Sequence, residues 1–317
     1  MKQIQLGVVV TTVALILLAC TGASKTPSEI KEAAIKCMRN QDYDCAKQQW
    51  QAYLRLRPND ANAIAGLGIA ENKLDEDAAA VVNFKKAIDL GEGTYDLFSY
   101  YADSLSKLGE IDQAIDWSYK ALTVVPSLVD VRGSLAKLLV QKKRYFEALA
   151  LLASFDDHLK SIGYSPYFEG QRIAIETAMQ QANPETFEEK TQLRLPETYG
   201  NFYAPVTLGQ SHVTAFVVDT GATLTTVSSD FLQQSKAQYE VLRSSVEMQT
   251  ANGERVRARL INVSSMKLGD FYLKNVAAVV CSGCMLLLGQ ETLSHFDLSA
   301  GKVQGVEFLT LRLRKSE

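Results

Sequence analysis

The chain has 317 residues, of which 47% are hydrophobic and 22% charged, with a net charge of −3 at neutral pH. Its length allows about two domains, and its apolar content is enough to fill ordinary cores. The near-even charge balance speaks against a nucleic acid or an anionic membrane surface as partner.

At the N-terminus Lys2 precedes an apolar run from Leu6 to Leu18. The run is too short for a comfortable membrane span and of the right length for the core of an export signal. It ends in Leu17-Leu18-Ala19-Cys20, which resembles the lipobox of bacterial lipoproteins. The resemblance implies removal of residues 1–19, a diacylglyceryl group on Cys20, and a lipid anchor holding the protein to a membrane on its periplasmic side. Thr21 after that cysteine implies the outer membrane in a Gram-negative host. An ordinary cleaved signal peptide and an uncleaved anchor are the alternatives. Residues 20–29 read as a polar tether. Setting Cys20 aside leaves two close pairs, Cys37 with Cys45 and Cys281 with Cys284. In an oxidising compartment each pair can form a disulfide.

From residue 30 to 182 small residues recur at a step of 34. One series is Ala46, Ala80, Ala114 and Ala148; the other is Ala34, Gly68, Ala102, Ala136 and Gly170. Trp50, Phe84 and Leu152 follow the first series, with Ser118 the departure. This period, with small residues where paired helices touch, resembles the tetratricopeptide repeat. Repeats are expected near 27–60, 61–94, 95–128 and 129–162, with a capping helix at about 166–181. The resemblance implies an α-solenoid whose concave face binds a peptide or protein, the other reading being a spacer. Residues 183–197, with Pro184 and Pro196 around a charged segment, read as a linker with some helical character.

The β-rich remainder is residues 198–317. Strands are expected over 199–208 and 213–218, then 223–227, 256–263, 265–268, 271–273, 276–281 and 306–313, with short helices at 229–234 and after Gly289, the latter closing at 294–296. The second strand runs Ala215-Phe216-Val217-Val218 straight into Asp219-Thr220-Gly221. A carboxylate at the end of a buried strand needs hydrogen bonds or a partner, which packing alone does not explain. Asn252-Gly253 between strand-like flanks signals a hairpin, and Leu286-Leu287-Leu288-Gly289 closes a later apolar run.

These three motifs in this order resemble the retropepsin-like aspartic proteases, particularly the bacterial periplasmic single-domain type. The resemblance implies a closed β-barrel, peptide-bond hydrolysis, and one catalytic Asp per chain. Asp219 is then the acid or base, Thr220 holds the two active-site loops together across a homodimer, and Gly221 keeps its backbone near the carboxylates. Thr250, Ala251, Asn252 and Gly253 match the flap that folds over bound peptide. Leu287, Leu288 and Gly289 match the support beneath the active-site loop. Two carboxylates this close share one proton, so a second Asp219 must come from a second chain.

Gln290 stands where some retropepsins place an Arg that braces the dimer, and the pair Cys281 and Cys284 borders the expected cleft. A zinc site at those cysteines lacks ligands, since only His158, His212 and His295 remain and His295 alone is near in sequence. No metal or cofactor is expected, and serine, zinc and nucleotide motifs are absent from the sequence. The chain therefore reads as an exported multidomain protein, α-helical repeats then a β-barrel, acting on proteins of the cell envelope. A binding or assembly scaffold, with the β half as a dimerisation or peptide-holding module, is the other reading.

Overall fold

A computed structural model of the chain describes residues 25–249, 253 and 255–314. The export segment 1–19, Cys20 and residues 21–24 of the tether lie outside the described residues. The first half is helical: α1 Pro27–Arg39, α2 Tyr43–Leu56, α3 Ala61–Lys73, α4 Asp77–Asp89, α5 Tyr95–Lys107, α6 Ile111–Val124, α7 Val129–Gln141, α8 Tyr145–Ser161 and α9 Glu169–Gln181. Side-chain caps start several of them. Thr26 and Glu29 form a capping box on α1, and Asp42, Asp60 and Thr94 each accept a backbone N–H at the start of α2, α3 and α5.

The 34-residue period maps onto helix contacts. Ala34, Ala46, Ala80, Ala114, Ala136 and Ala148 are wholly buried, and a Cβ on Gly68 would come within 2.8 Å of Phe84. Small side chains here let helix backbones approach, which is why the step survives in sequence. Ser118 takes a large apolar residue's place without cost because its hydroxyl donates to the Ala114 carbonyl at 2.7 Å. Gly170 carries the step into α9, yet nothing lies within 4 Å of where its Cβ would be. There the period has no packing reason. Cys37 and Cys45 are joined by a disulfide across the α1–α2 turn.

Residues 183–197 are more structured than a linker. Two 3-10 turns, Pro184–Thr186 and Glu188–Lys190, lead into a strand, β1 Gln192–Thr198. Leu193 and Leu195 alternate with polar residues and are buried, the pattern of a strand with one inward face. Phe187 packs on Tyr145 and Phe146. The Glu189 carboxylate accepts the backbone N–H groups of Phe146 and Glu147 at 2.9 and 2.6 Å. It thus caps the N-terminus of α8 from outside the helix, where free N–H groups and the helix dipole favour an acceptor.

The β half continues with β2 Asn201–Leu208, β3 Thr214–Val218, β4 Thr225–Ser228, α10 Ser229–Ser235, β5 Tyr239–Gln249, β6 Arg255–Leu268, β7 Phe271–Cys281, β8 Leu287–Leu288, α11 Gln290–Leu293, β9 Phe296–Val303 and β10 Val306–Leu313. Stretches 256–263 and 265–268 are one strand, as are 271–273 and 276–281. The second joins through Asn275, which takes φ 55°, a left-handed conformation Asn tolerates. The short helix expected after Gly289 is Gln290–Leu293, with Ser294 as its C-cap. Strand pairings run β2–β3–β8–β4–β7–β6 and return from β6 to β2, while β1 carries the sheet on to β10 and then β9.

The two halves share one core. Ile115, Tyr119, Leu149 and Leu152 of the helices belong to the same buried cluster as Leu193, Leu195, Ala204 and Phe308 of the sheet. Tyr119 meets Phe308 edge-on, and the Arg194 guanidinium lies 3.6 Å over that ring while pairing with Asp116. On α9, Arg172 donates to the Val213 carbonyl and the Glu176 carboxylate accepts the Val213 N–H. These contacts fix the helical stack against the β half.

Candidate active site

Asp219 follows β3 directly. Its strand lies parallel to β8, with Val217 opposite Leu287 and Val218 opposite Leu288. The Val217 N–H donates to the Leu286 carbonyl at 2.9 Å, and the Asp219 N–H donates to that of Leu288 at 3.0 Å. The second apolar run therefore holds the backbone on which the acid sits. The carboxylate is half-buried, and its Oδ1 accepts the N–H groups of Gly221 and Ala222 at 2.8 and 3.2 Å. This turn fixes one oxygen of the acid against its own loop. A Cβ on Gly221 would stand 3.2 Å from that oxygen. Thr220 and Gly221 are exposed.

Gly289 is where the chain crosses under this loop. A Cβ there would fall 2.4 Å from the Leu224 carbonyl carbon, so only glycine lets the two backbones touch. From this crossing α11 turns its first N–H groups to the loop: Gln290 to the Ala222 carbonyl at 2.8 Å and Glu291 to that of Thr223 at 3.1 Å. The Gln290 side chain adds a bond from Nε2 to the Thr220 carbonyl at 2.7 Å. Where an Arg would brace a dimer in some retropepsins, this residue braces the Asp219 loop of its own chain. Beneath it, the Thr225 and Thr292 hydroxyls are 2.7 Å apart and buried, and the Gly289 N–H donates to Thr225 Oγ1 at 3.3 Å. Gln290 stands out in the sequence only as a departure from a dimer-bracing Arg, and Thr225 and Thr292 carry no motif of their own.

The hairpin formed by β5 and β6 stands beside this loop. Its last described pair is Gln249 with Arg255. Gly253 takes φ 85°, while Thr250, Ala251 and Asn252 lie outside the described residues. Just below the last described pair, Met248, Val246, Ala258 and Leu260 pack in a small apolar cluster with Leu224, Val279, Cys281 and Cys284. Cys281 and Cys284 are joined by a disulfide. Among the described residues no group of three or more His, Cys, Asp or Glu side chains is placed to hold a metal ion.

Residues 205–295 match the family model described as "gag-polyprotein putative aspartyl protease". Among solved structures, a retropepsin-like aspartic protease from Rickettsia conorii aligns at 23% identity over 38% of this chain and 92% of its own, with a TM-score of 0.30. The first tetratricopeptide domain of the human RPAP3 protein aligns at 18% identity over 35% of this chain and 88% of its own, with a TM-score of 0.33. MamA protein aligns at 14% identity over 49% of this chain and 90% of its own, with a TM-score of 0.37. No curated protein matches the chain. The stretch that holds the Asp219 loop is therefore similar to an aspartyl-protease family model, and it follows a region of paired helices.

Proposed function

We propose that the protein is an envelope-located aspartic endopeptidase that works as a homodimer, each chain supplying one Asp219. The observation that carries this reading is the Asp219 loop. A half-buried carboxylate is held by Gly221 and Ala222, seated on a parallel β3–β8 pair and locked by Gly289 and Gln290. That loop falls within the residues matching the aspartyl-protease family model.

In the dimer two Asp219 carboxylates share one proton. The ionised member takes a proton from water, which attacks the scissile carbonyl, while the protonated member gives its proton to the carbonyl oxygen. Thr220, exposed beside the acid, is placed to bond across the two-fold axis, and residues 250–253 cover the bound peptide. The return of the strand pairings from β6 to β2 supports a closed β-barrel as the scaffold. The repeats hold a substrate or partner protein. A cavity of about 760 Å³ lined by Lys73, Tyr95, Tyr100, Asp130, Lys137 and Leu138 supports that role.

The lipobox-like Cys20 anchors the chain to the membrane, facing the periplasm. Mass spectrometry of the mature N-terminus tests the anchor: a lipid-bearing Cys20 is expected, and an unmodified terminus elsewhere removes it. The catalytic claim is tested by cleavage of a peptide library with wild type and Asp219→Asn. Cleavage by the wild type and none by the variant is expected. Failure of both to cleave would leave the repeats and the β half as a binding scaffold.

A further inference from the structure

The Cys281–Cys284 disulfide has no part in the chemistry above, yet it stands at a junction. Cys281 ends β7, is buried, and sits opposite Ser228 of β4. Its Sγ lies 3.9 Å from Met248 Sδ on β5. Around the pair, the apolar cluster gathers side chains from three sources. Val246, Met248, Ala258 and Leu260 come from the outer part of the β5–β6 hairpin, close to its turn. Val279 comes from β7, and Leu224 from the segment that follows the Asp219 loop. This cluster is separate from the main core.

The chain then leads from Cys284 to β8 within three residues. Between the anchored Cys281 and Leu287, which pairs with Val217, lie the five residues 282–286. The disulfide pins Cys284 and leaves only Met285 and Leu286 to span the gap. Leu286 and Leu288 are the residues whose carbonyls accept the Val217 and Asp219 N–H groups. One covalent link thus shortens the free path leading to the strand that seats the acid. It also forms part of the surface on which the outer part of the hairpin rests. Shortening a flexible connection lowers the entropy lost in holding its end in place.

We propose that the Cys281–Cys284 disulfide is a redox-sensitive positioning element, coupling the outer part of the flap hairpin to the Asp219 loop, so that reduction slows turnover without unfolding the chain. The proposal rests on the protease reading given above. A dithiol reductant would act through a thiolate attacking the half-buried Cys284 sulfur, with Cys281 leaving as a thiolate that takes up a proton. The reductant's second thiol then closes on the mixed disulfide and frees Cys284. Two electrons and two protons pass to the cysteines, and the dithiol becomes a disulfide.

The test uses the full chain, assayed by cleavage that Asp219→Asn abolishes. Treatment with dithiothreitol should lower kcat by roughly tenfold or more, in line with the sensitivity of catalysis to small misplacements, and reoxidation should restore it. KM and the circular dichroism melt should change little. Cys281→Ser/Cys284→Ser should show the reduced kcat and ignore dithiothreitol, whereas Cys37→Ser/Cys45→Ser should remain sensitive. Unchanged kcat in wild type whose four thiols are shown by alkylation to be free would overturn the proposal. Loss of activity that tracks global unfolding would overturn it equally. Oxidised wild type that cleaves nothing would count against the protease reading, and hydrogen exchange separates that failure from this one. On reduction, exchange should rise at 246–248, 258–260 and 285–288 and stay constant in α3–α6. No rise at those segments sinks the coupling whatever the activity.

Discussion

Gln290 and Gly289 work on the catalytic loop by different means, and their substitutions should separate accordingly. The Gln290 amide holds the Thr220 carbonyl from an exposed position, and a bond of this kind contributes about 1 kcal/mol net. Gln290→Ala should therefore leave the urea midpoint nearly unchanged while lowering kcat, since the loop bearing Asp219 loses one of its ties. Gly289→Ala is a packing fault. A methyl 2.4 Å from the Leu224 carbonyl carbon forces two backbones apart, at a cost of about 1 to 3 kcal/mol. Denaturant unfolding of the two variants beside steady-state kinetics checks both; a kcat loss in Gln290→Ala matched by an equal stability loss would deny it a local role. Asp219, Gly221 and Gly289 were legible in the sequence because backbone geometry demands their residue types. The bonds that Gln290, Thr225 and Thr292 make were not, because their partners lie 64 to 70 positions away in sequence, and only the fold brings them together.

At the scale of elements, the segment joining the halves shows how a charged stretch can mislead. Glu188, Glu189 and Lys190 belong to the charged segment that reads as a linker, yet Glu189 is buried and caps α8. Burial, reinforced by the neighbouring Glu147 carboxylate, raises the Glu189 carboxyl from its ordinary 4.5 to about 8, against the opposing pull of its two N–H donors. The folded chain then keeps a proton across the window from about 4.5 to 8 that the unfolded chain has released. Stability from this group is complete below that window and is lost as pH rises through it. Urea midpoints should accordingly fall between those pH values in wild type, and Glu189→Gln should flatten the trend. An equally steep trend in the variant would assign it to other groups. The helical repeats were legible because small residues recur wherever helices touch. Strand β1 was hidden because only Leu193 and Leu195 show its alternation before Pro196 interrupts it.

On the scale of the whole molecule, the shared core between α6, α8 and the sheet could not be read from the sequence. The faces that meet the sheet carry the same apolar residues as faces that meet other repeats. For the proposed dimer the sheet's two edges are not equivalent. β5, at one edge, has register shifts near Arg243, an irregularity that discourages further pairing. β9, at the other, pairs with β10 without a shift over its full length and carries no proline. The Arg314 N–H donates to the His295 carbonyl at 2.9 Å. By antiparallel alternation Phe296, Leu298, Ala300 and Lys302 then turn their own N–H and C=O groups to the free side.

A dimer built on this edge makes activity depend on concentration. Specific activity should fall on dilution below the dimer dissociation constant, and Ala300→Pro, which deletes one outward N–H, should move that fall to higher concentration while leaving the thermal melt of the concentrated protein nearly unchanged. Excess Asp219→Asn chains should poison wild type, because a mixed dimer keeps one of two carboxylates. The shared proton adds a further mark: the rate should follow a bell in pH, with both limbs belonging to the pair. Sedimentation and progress curves across a dilution series read all of these. Full activity in a monomer at high dilution, unmoved by Asp219→Asn chains, would refute the two-chain site, whereas a concentration-dependent enzyme indifferent to Ala300→Pro would keep that site and move the contact away from β9.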